Sequence, residues 1–181
     1  DPAATPTFVA VAQSGTNRSA SSTDGGVTWT GSPSLSIINS WQYVTYGSGY
    51  FVVYGYYYSG GYINVSAYST DGVTWTPGAI IPGTNPYNAI GYGDPASIPT
   101  FVVLGNGSGV YSINNGLTWT TMTMPAGNWY SVAYNGTTTF VAVAQSGTNR
   151  SATSTNGITW SPTNLGLTTG FVGSTNWSSV A

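Results

Sequence analysis

The chain contains no cysteine, histidine, lysine or glutamate, and its only charged residues are two arginines and four aspartates among 181 residues. Without histidine or cysteine, the usual transition-metal ligands are missing. Without glutamate or lysine, the general acids, bases and Schiff-base amines of enzymes reduce to the four aspartates. These absences predict that the protein is not an enzyme and that it holds no metal and no cofactor.

The scarcity of charge also bears on partners and location. A formal net charge of −2 with two cations offers no basic surface, so we expect no nucleic-acid partner and no attraction to anionic membranes. No apolar run approaches the roughly 18 residues of a membrane helix, which predicts no membrane insertion. Serine, threonine, asparagine, glycine and tyrosine supply the polarity, as is typical of bacterial surface, viral and secreted repeat proteins. We therefore expect an extracellular, cell-surface or virion location.

One phrase recurs four times along the chain and predicts a repeat architecture. Its copies are STDGGVTW at 22–29, STDGVTW at 69–75, SINNGLTW at 112–119 and STNGITW at 154–160. The tryptophans that end the copies are separated by 46, 44 and 41 residues, which is the length of one four-stranded propeller blade.

Each repeat unit contains a series of short strand patterns. An alternating segment comes first, as in WQYVTYG from Trp41, and period-two alternation predicts a strand. A segment without alternation follows, as in FVVLG from Phe101, which predicts a strand buried on both faces. A third strand should end at the serine of the phrase, and a fourth should carry its Thr-Trp pair after a glycine turn. We predict an all-β chain, a single domain 1–181 with blades at about 41–76, 87–120, 129–161, and 177–181 plus 1–30.

The two ends of the chain match the interior of one repeat unit. DPAATPTF at 1–8 shares six of eight positions with DPASIPTF at 94–101. WSSVA at 177–181 aligns with the first five positions of the strand that precedes Asp94 in that unit, YNAIGYG. This predicts a β-propeller of four four-stranded antiparallel blades, closed by pairing of the N- and C-terminal strands in one shared blade. Closure would remove an unpaired strand edge that otherwise invites association. Two chains exchanging ends into an eight-bladed ring would use the same contacts, so a homo-oligomer stays open as an alternative.

The recurring phrase resembles the Asp-box, S-x-D-x-G-x-T-W, also called the BNR repeat and known from sialidases and other β-propellers. Residues 22–29 match every fixed position, and the other copies lack one residue, carry asparagine for aspartate, or both. The resemblance implies a propeller. Sialidase activity would require three arginines, a tyrosine nucleophile assisted by a glutamate, and an aspartate acid. With two arginines and no glutamate, this chain does not meet that requirement.

The aspartate or asparagine of each copy is predicted to be structural. A carboxylate or amide oxygen at a turn accepts hydrogen bonds from nearby backbone N–H groups, and this role tolerates the exchange of aspartate for asparagine. Calcium ligation is the alternative, and a hard cation would favour more carboxylates. The structural set is Asp24, Asp71, Asn114 and Asn156, with Trp29, Trp75, Trp119 and Trp160 filling space between sheets.

Three groups of residues are candidate ligand contacts. A tyrosine cluster around a Ser-Gly-Gly turn could stack on sugar faces, while a hairpin of cross-strand tyrosine pairs or a contact with a neighbouring subunit explains it equally well. The first-strand tryptophans could line the rim of a central channel or pack in the core. The arginines, in two identical FVAVAQSGTNRSA segments, could solvate their loop or bind a carboxylate or sulfate. The candidates are Tyr56, Tyr57, Tyr58 and Tyr62; Trp41, Trp129 and Trp177; and Arg18 and Arg150.

Together these features predict a non-catalytic binding module for glycan recognition or adhesion at a cell or virion surface. The alternative is a structural or decoration protein of a virion or surface assembly. Units such as WYSVAYNGTTTFVAVA followed by the Asp-box phrase are similar to repeats of phage and bacterial surface proteins, which implies such a location. The expected partner is a glycan or a neighbouring surface or virion protein.

Overall fold

Antiparallel β-strands form nearly all the regular structure of the protein. The computed structural model describes residues 7–36, 38–146, 150–163 and 177–181. Within them lie fourteen strands, all paired antiparallel, and a single turn of 3-10 helix at Pro95–Ser97. The predicted all-β antiparallel class is confirmed. No helix in this part of the chain has the length and apolar character needed to cross a membrane.

The chain divides into two compact units. Unit 1 comprises Asp1–Pro86 and Asn114–Trp119, and unit 2 comprises Tyr87–Ile113 and Thr120–Ala181. The segment 114–119 contains most of the third copy of the repeated phrase. This copy therefore belongs to unit 1, whereas the strands on either side of it belong to unit 2.

Unit 1 contains two antiparallel sheets. Its strands are β1 (Phe8–Val11), β2 (Ser19–Ser22), β3 (Thr30–Ser32), β4 (Ser40–Gly47), β5 (Tyr50–Tyr58), β6 (Tyr62–Ser69) and β7 (Thr76–Ile81). The first three strands form one sheet with β1 at its edge, and β4 to β7 form a four-stranded meander. Their core is apolar and includes Leu35, Trp41, Phe51, Val53 and Trp75.

Unit 2 contains one sheet of seven strands. These are β8 (Ala89–Gly93), β9 (Thr100–Leu104), β10 (Asn106–Ser112), β11 (Thr120–Tyr134), β12 (Phe140–Ala144), β13 (Ser151–Ser154) and β14 (Ser161–Thr163). The first part of the 15-residue β11 pairs mainly with β10, and the part from Trp129 onward pairs with β12. The sheet is therefore two four-stranded meanders that share β11, and each meander covers one repeat.

The repeated phrase begins where a third strand ends, as predicted, but its tryptophan precedes the fourth strand. The third strands β2, β6, β10 and β13 end at the serine of the phrase. The fourth strands begin at Thr30, Thr76, Thr120 and Ser161, one residue after each tryptophan. The prediction that the fourth strand carries Thr-Trp is wrong, because the phrase makes turn hydrogen bonds, described below, in place of ladder bonds.

The second strands β5, β9 and β12 are mostly buried, whereas the equivalent strand β1 is not. In β9, Phe101 and Val102 are each 0% exposed, and in β5 and β12 nearly every central residue is buried. In β1 the equivalent Phe8 is 52% exposed. The prediction of burial on both faces is therefore wrong for β1, because β1 lies at the edge of its sheet and pairs only with β2 among the described strands.

The C-terminal residues lie beside a strand without joining a sheet. Residues 177–181 adopt no strand. The Val180 N–H donates to Ser131 Oγ at 3.1 Å, and the Ser131 hydroxyl donates to the Val180 carbonyl oxygen at 3.3 Å. The expected pairing of this segment with Phe8–Val11 is not among the strand pairs of the described residues, and residues 1–6 of the expected shared blade lie outside them.

Candidate functional site

The repeated phrase folds as a turn that its own side chains hold together. In the first copy, Asp24 Oδ1 accepts hydrogen bonds from the Val27 and Thr28 N–H groups at 3.1 and 2.9 Å. The Thr28 hydroxyl donates to Asp24 Oδ2 at 2.5 Å. The Ser22 hydroxyl donates to Asp24 Oδ1 at 2.8 Å and accepts from the Gly26 N–H at 2.9 Å. One carboxylate and one hydroxyl thus bond most of the backbone N–H groups of the reversal.

Asparagine supports the same turn. In the fourth copy, Asn156 Oδ1 accepts from the Ile158 and Thr159 N–H groups, each at 2.8 Å. In the second copy, Asp71 Oδ1 accepts from the corresponding N–H groups at 2.8 and 2.7 Å. In the third, Asn114 Oδ1 accepts from the N–H four residues on, at 2.9 Å. A negative charge is therefore not required, because a neutral amide oxygen makes the same bonds.

The two aspartates of these turns are stabilised in their charged form. The Thr28 hydroxyl, followed by the N–H of the same residue, lowers the pKa of Asp24 to about 2. At Asp71, burial raises the pKa, but hydrogen bonds from the Thr74 and Val73 N–H groups outweigh it, so the pKa is lowered. A carboxyl group with a lowered pKa is ionised near neutral pH, so it carries no proton to donate, and it is a weak base. Among the described residues, no group of three or more acidic side chains could hold a metal ion.

Three copies of the phrase pack their turn glycine against the second strand of the preceding repeat. The pairs are Gly72 with Val9, Gly116 with Val52 and Gly157 with Val102, and a Cβ on the glycine would lie 2.5, 2.8 and 3.2 Å from the valine. A side chain at these positions would collide with the strand. The first copy is the exception, since among the described residues a Cβ on Gly26 would meet only Trp29 of its own turn, at 3.9 Å.

The tryptophans that end the phrase show the same exception. Trp75, Trp119 and Trp160 are 6%, 8% and 7% exposed, whereas Trp29 is 46% exposed. Trp29 and Trp160 make the same local bond, from Nε1 to the carbonyl oxygen three residues earlier, at 3.0 and 3.2 Å. The difference in burial therefore arises from what packs against the ring and not from the turn itself.

The first-strand tryptophans Trp41 and Trp129 belong to the core. They are 2% and 0% exposed, and their Nε1 groups donate to the Ser36 and Pro125 carbonyl oxygens at 3.1 and 3.0 Å. The burial of both rings favours the core alternative at these two positions over the rim of a channel. Trp177 is half-buried, and its role as a ligand contact stays a prediction.

Both arginines close the loop in which they lie. Arg18 lies between β1 and β2, and Arg150 lies between β12 and β13. Each donates from Nη1 to the carbonyl oxygen of the glutamine five residues earlier, Gln13 or Gln145, the second bond being 3.0 Å long. Both side chains are half-buried. This geometry favours the loop interpretation of the arginines over the binding of an anion.

Three of the four clustered tyrosines form one exposed aromatic face at the β5–β6 hairpin. Tyr58 lies opposite Tyr62, and Tyr56 shares their side of the sheet. The Tyr62 ring packs edge-on against both, with centroids 5.3 Å from Tyr56 and 5.5 Å from Tyr58. Tyr58 and Tyr62 are 71% and 41% exposed. Tyr57 lies across from Ile63 on the opposite side of the sheet, so the structure separates it from the other three.

Each unit also has a concave surface of its own that the sequence analysis did not predict. In unit 2, an open groove of about 700 Å³ is lined by uncharged residues that include Tyr111, Met122, Met124 and Trp160. In unit 1, a cavity of about 110 Å³ is lined by the segment after β3, including Asn39, and by residues of the β4–β7 sheet. The linkers between repeats contribute to both walls, and linker sequences differ from one repeat to the next.

Comparisons with known proteins identify no family for this chain. No protein-family model matches it, and no curated protein matches it. The function must therefore be inferred from the geometry of the exposed surfaces and cavities.

Proposed function

We propose that the protein is a non-catalytic carbohydrate-binding module whose binding surface is the tyrosine face of the β5–β6 hairpin. The observation that carries the proposal is that Tyr56, Tyr58 and Tyr62 pack edge-to-face while most of Tyr58 stays open to solvent. An aromatic ring offers an apolar surface to the C–H groups of a sugar, and the phenol hydroxyl bonds sugar hydroxyls. Edge-to-face packing limits the motion of the rings before a ligand arrives, which lowers the entropic cost of binding.

Two features favour a ligand over a purely structural role for this face. The corresponding second strands β9 and β12 end at Leu104 and Ala144 without such a cluster, so strand pairing does not require it. The turn at the tip, from Ser59 to Gly61, contains no charged side chain, which suits a neutral saccharide. Large aromatic rings left in water at one position of a repeat are typical of a binding surface.

A glycan array followed by calorimetry tests the proposal. Tyr58→Ala should weaken binding about tenfold, because one stacked ring is lost. Tyr57→Ala is the matched control, since it removes the same side chain from the next position on the opposite side of the sheet, and it should bind like the unmodified protein. No glycan binding by the unmodified protein, or equal loss in both variants, would contradict the proposal.

We also propose that the repeats form the closed ring of four blades. The first copy of the phrase, with Gly26 and Trp29, is the one copy that packs on no preceding repeat among the described residues. Val141 on β12 corresponds to Val52 and Val102, yet it is half-buried whereas they are 0% exposed. A closed ring would cover the first copy of the phrase as the other three copies are covered.

The position of the C-terminal segment supports the same ring. Within unit 2, neighbouring first strands approach closely, since a Cβ on Gly91 of β8 would lie 2.8 Å from Val132 of β11. Val180 lies beside Ser131 of β11 through two hydrogen bonds, where the first strand of the following repeat is expected. Pairing of 177–181 with β1 would complete the fourth blade and remove a free edge.

The second candidate function is that of a structural or decoration protein in a virion or surface assembly. Exposed aliphatic side chains favour it, since Ile80 on the edge strand β7 is 67% exposed and Ile38 is 73% exposed. Light scattering after size-exclusion chromatography distinguishes the candidates: a defined oligomer favours assembly, and a monomer across the concentration range favours the carbohydrate-binding module. Both candidates imply an extracellular, cell-surface or virion location.

A further inference from the structure

The cavity in unit 1 is lined by two residues with buried polar atoms that the described protein does not satisfy. Among the described residues, Trp75 Nε1 and Asn39 Oδ1 have no hydrogen-bond partner. Trp75 is 6% exposed, Asn39 is 8% exposed, and both line the cavity of about 110 Å³. One atom is a donor and the other an acceptor. Buried polar groups are nearly always paired, so this pair of atoms points to a bound molecule.

The unpaired indole N–H distinguishes this copy of the phrase from the others. Trp29 and Trp160 donate to a carbonyl oxygen of their own turn, and Trp119 donates to Ser66 Oγ at 3.0 Å. Two hydroxyls of the cavity wall are engaged, since those of Ser66 and Ser34 donate to backbone carbonyl oxygens at 3.2 and 2.6 Å, whereas Ser36 lies on the exposed side of the cavity. Among the buried side-chain atoms of the wall, one donor and one acceptor thus remain without a partner within the described residues.

The rest of the cavity wall is apolar on one side and open to solvent on the other. Leu35, Trp41 and Ala67 are buried, whereas Ser36 and Pro77 are exposed. A volume of about 110 Å³ is the space that three or four water molecules fill at roughly 30 Å³ each. The cavity therefore accepts a small side group of a ligand, and the remainder of the ligand must lie outside.

We propose that this cavity binds the acetamido group of an N-acetylated saccharide. The acetamido carbonyl accepts a hydrogen bond from Trp75 Nε1, the acetamido N–H donates to Asn39 Oδ1, and the methyl group packs on the apolar wall around Leu35. A hydroxyl group in place of the acetamido group would leave the apolar wall around Leu35 uncovered, so a sugar without the N-acetyl group should bind more weakly. The inference rests on the proposed function for the saccharide class of the ligand, but it uses a site separate from the tyrosine face.

The indole N–H signals of the intact chain test the inference directly. The spectrum should contain one such signal for each of the seven tryptophans, and Trp75→Phe identifies that of Trp75 by its loss. Titration with N-acetylglucosamine should shift the Trp75 signal with a Kd of about 1 mM, as expected for a ligand of this size. Glucose should leave the signal unchanged. No shift with N-acetylglucosamine, or an equal shift with glucose, would overturn the inference and indicate a cavity that holds water.

Three further measurements separate the outcomes. Trp75→Phe keeps an aromatic ring but removes the donor, and should weaken N-acetylglucosamine binding about fivefold by calorimetry. Trp160→Phe, which removes an N–H already bonded within its own turn, should bind like the unmodified protein, and equal loss in both variants would contradict the site. A Trp75 shift with N-acetyllysine that exceeds the shift with the sugar would overturn the saccharide assignment.

The two proposals can fail independently. Tyr58→Ala should leave the Trp75 shift intact, because the tyrosine face and the cavity share no residue. Glycan binding that depends on Tyr58 while the Trp75 signal stays unmoved would refute the cavity inference alone. A Trp75 shift with no effect of Tyr58→Ala on any glycan would support the cavity and refute the tyrosine face as the binding surface.

Discussion

Trp29 and Trp160 form a matched pair of residues that tests the closed ring. Both end a copy of the repeated phrase, and both donate from Nε1 to the carbonyl oxygen three residues earlier. Their exposed fractions are 46% and 7%. If the first copy is covered as the fourth copy is, as the closed ring requires, the two substitutions Trp29→Ala and Trp160→Ala should destabilise the protein about equally.

The difference in exposure sets the size of the effect that the assay must detect. It amounts to 46 − 7 = 39 percentage points, or ~100 Å² of a tryptophan surface of ~250 Å². At ~25 cal/mol per Å², this area corresponds to ~2.5 kcal/mol. A buried tryptophan replaced by alanine costs ~4 kcal/mol. Closure therefore predicts a loss of ~4 kcal/mol at both positions, whereas an uncovered Trp29 predicts a loss of only ~1.5 kcal/mol.

Urea unfolding followed by tryptophan fluorescence measures both losses under the same conditions. Comparison with circular dichroism checks that each variant unfolds in one step, because only then do the midpoints convert to free energies. The difference between the two variants is the decisive quantity. A Trp29→Ala variant that is more stable than Trp160→Ala by ~2.5 kcal/mol would refute the closed ring as the state of the protein in solution.

Three further predictions concern the turns and the pH dependence. Asp71→Asn should leave the urea midpoint nearly unchanged because an amide oxygen makes the same turn bonds, whereas Asp71→Ala should cost ~1 kcal/mol; equal effects would contradict the turn role. Gly157→Ala should be more destabilising than Gly25→Ala by ~1 kcal/mol or more. Both glycines have positive φ, so the backbone strain is similar. A Cβ at position 157 would lie 2.9 Å from Thr100, whereas a Cβ at position 25 would have no neighbour within 4 Å. The thermal midpoint should be flat from about pH 5 to 9. The Asp24 pKa of about 2, below its ordinary 3.8, gives a contribution that is complete above about pH 4 and is lost as the pH falls toward 2. Burial raises the pKa of Tyr87 above its ordinary 10.0, so the contribution of Tyr87 to stability is lost as the pH rises past about 10. Differential scanning calorimetry measures the thermal midpoint across this range. A midpoint that changes between pH 6 and 8 would contradict the predicted pH profile.

Local patterns predicted much of the strand order and the region of the turns. The segment FVVLG predicted the buried β9, and the serine of each phrase marked the end of a third strand. The register of the β5–β6 hairpin could not be predicted from the sequence. In a run of consecutive tyrosines, the side of the sheet on which Tyr57 and Tyr58 lie is known only once their partners on the opposite strand are known. The fourth strand was placed two residues too early, since the turn bonds of the phrase extend up to its tryptophan.

The sequence by itself determined the turns, because their bonds join side chains such as Asp24 and Asn156 to backbone groups within four residues along the chain. Only the tertiary structure decided which tryptophans are covered and where unpaired polar atoms remain. Trp29 and Trp160 end two turns of the same kind and yet differ in burial. Asn39 lies in a linker between repeats, and the sequence of this linker does not recur in the other repeats. Burial depends on segments that are distant in the chain and meet only when the sheets pack, and a local pattern carries no information about them.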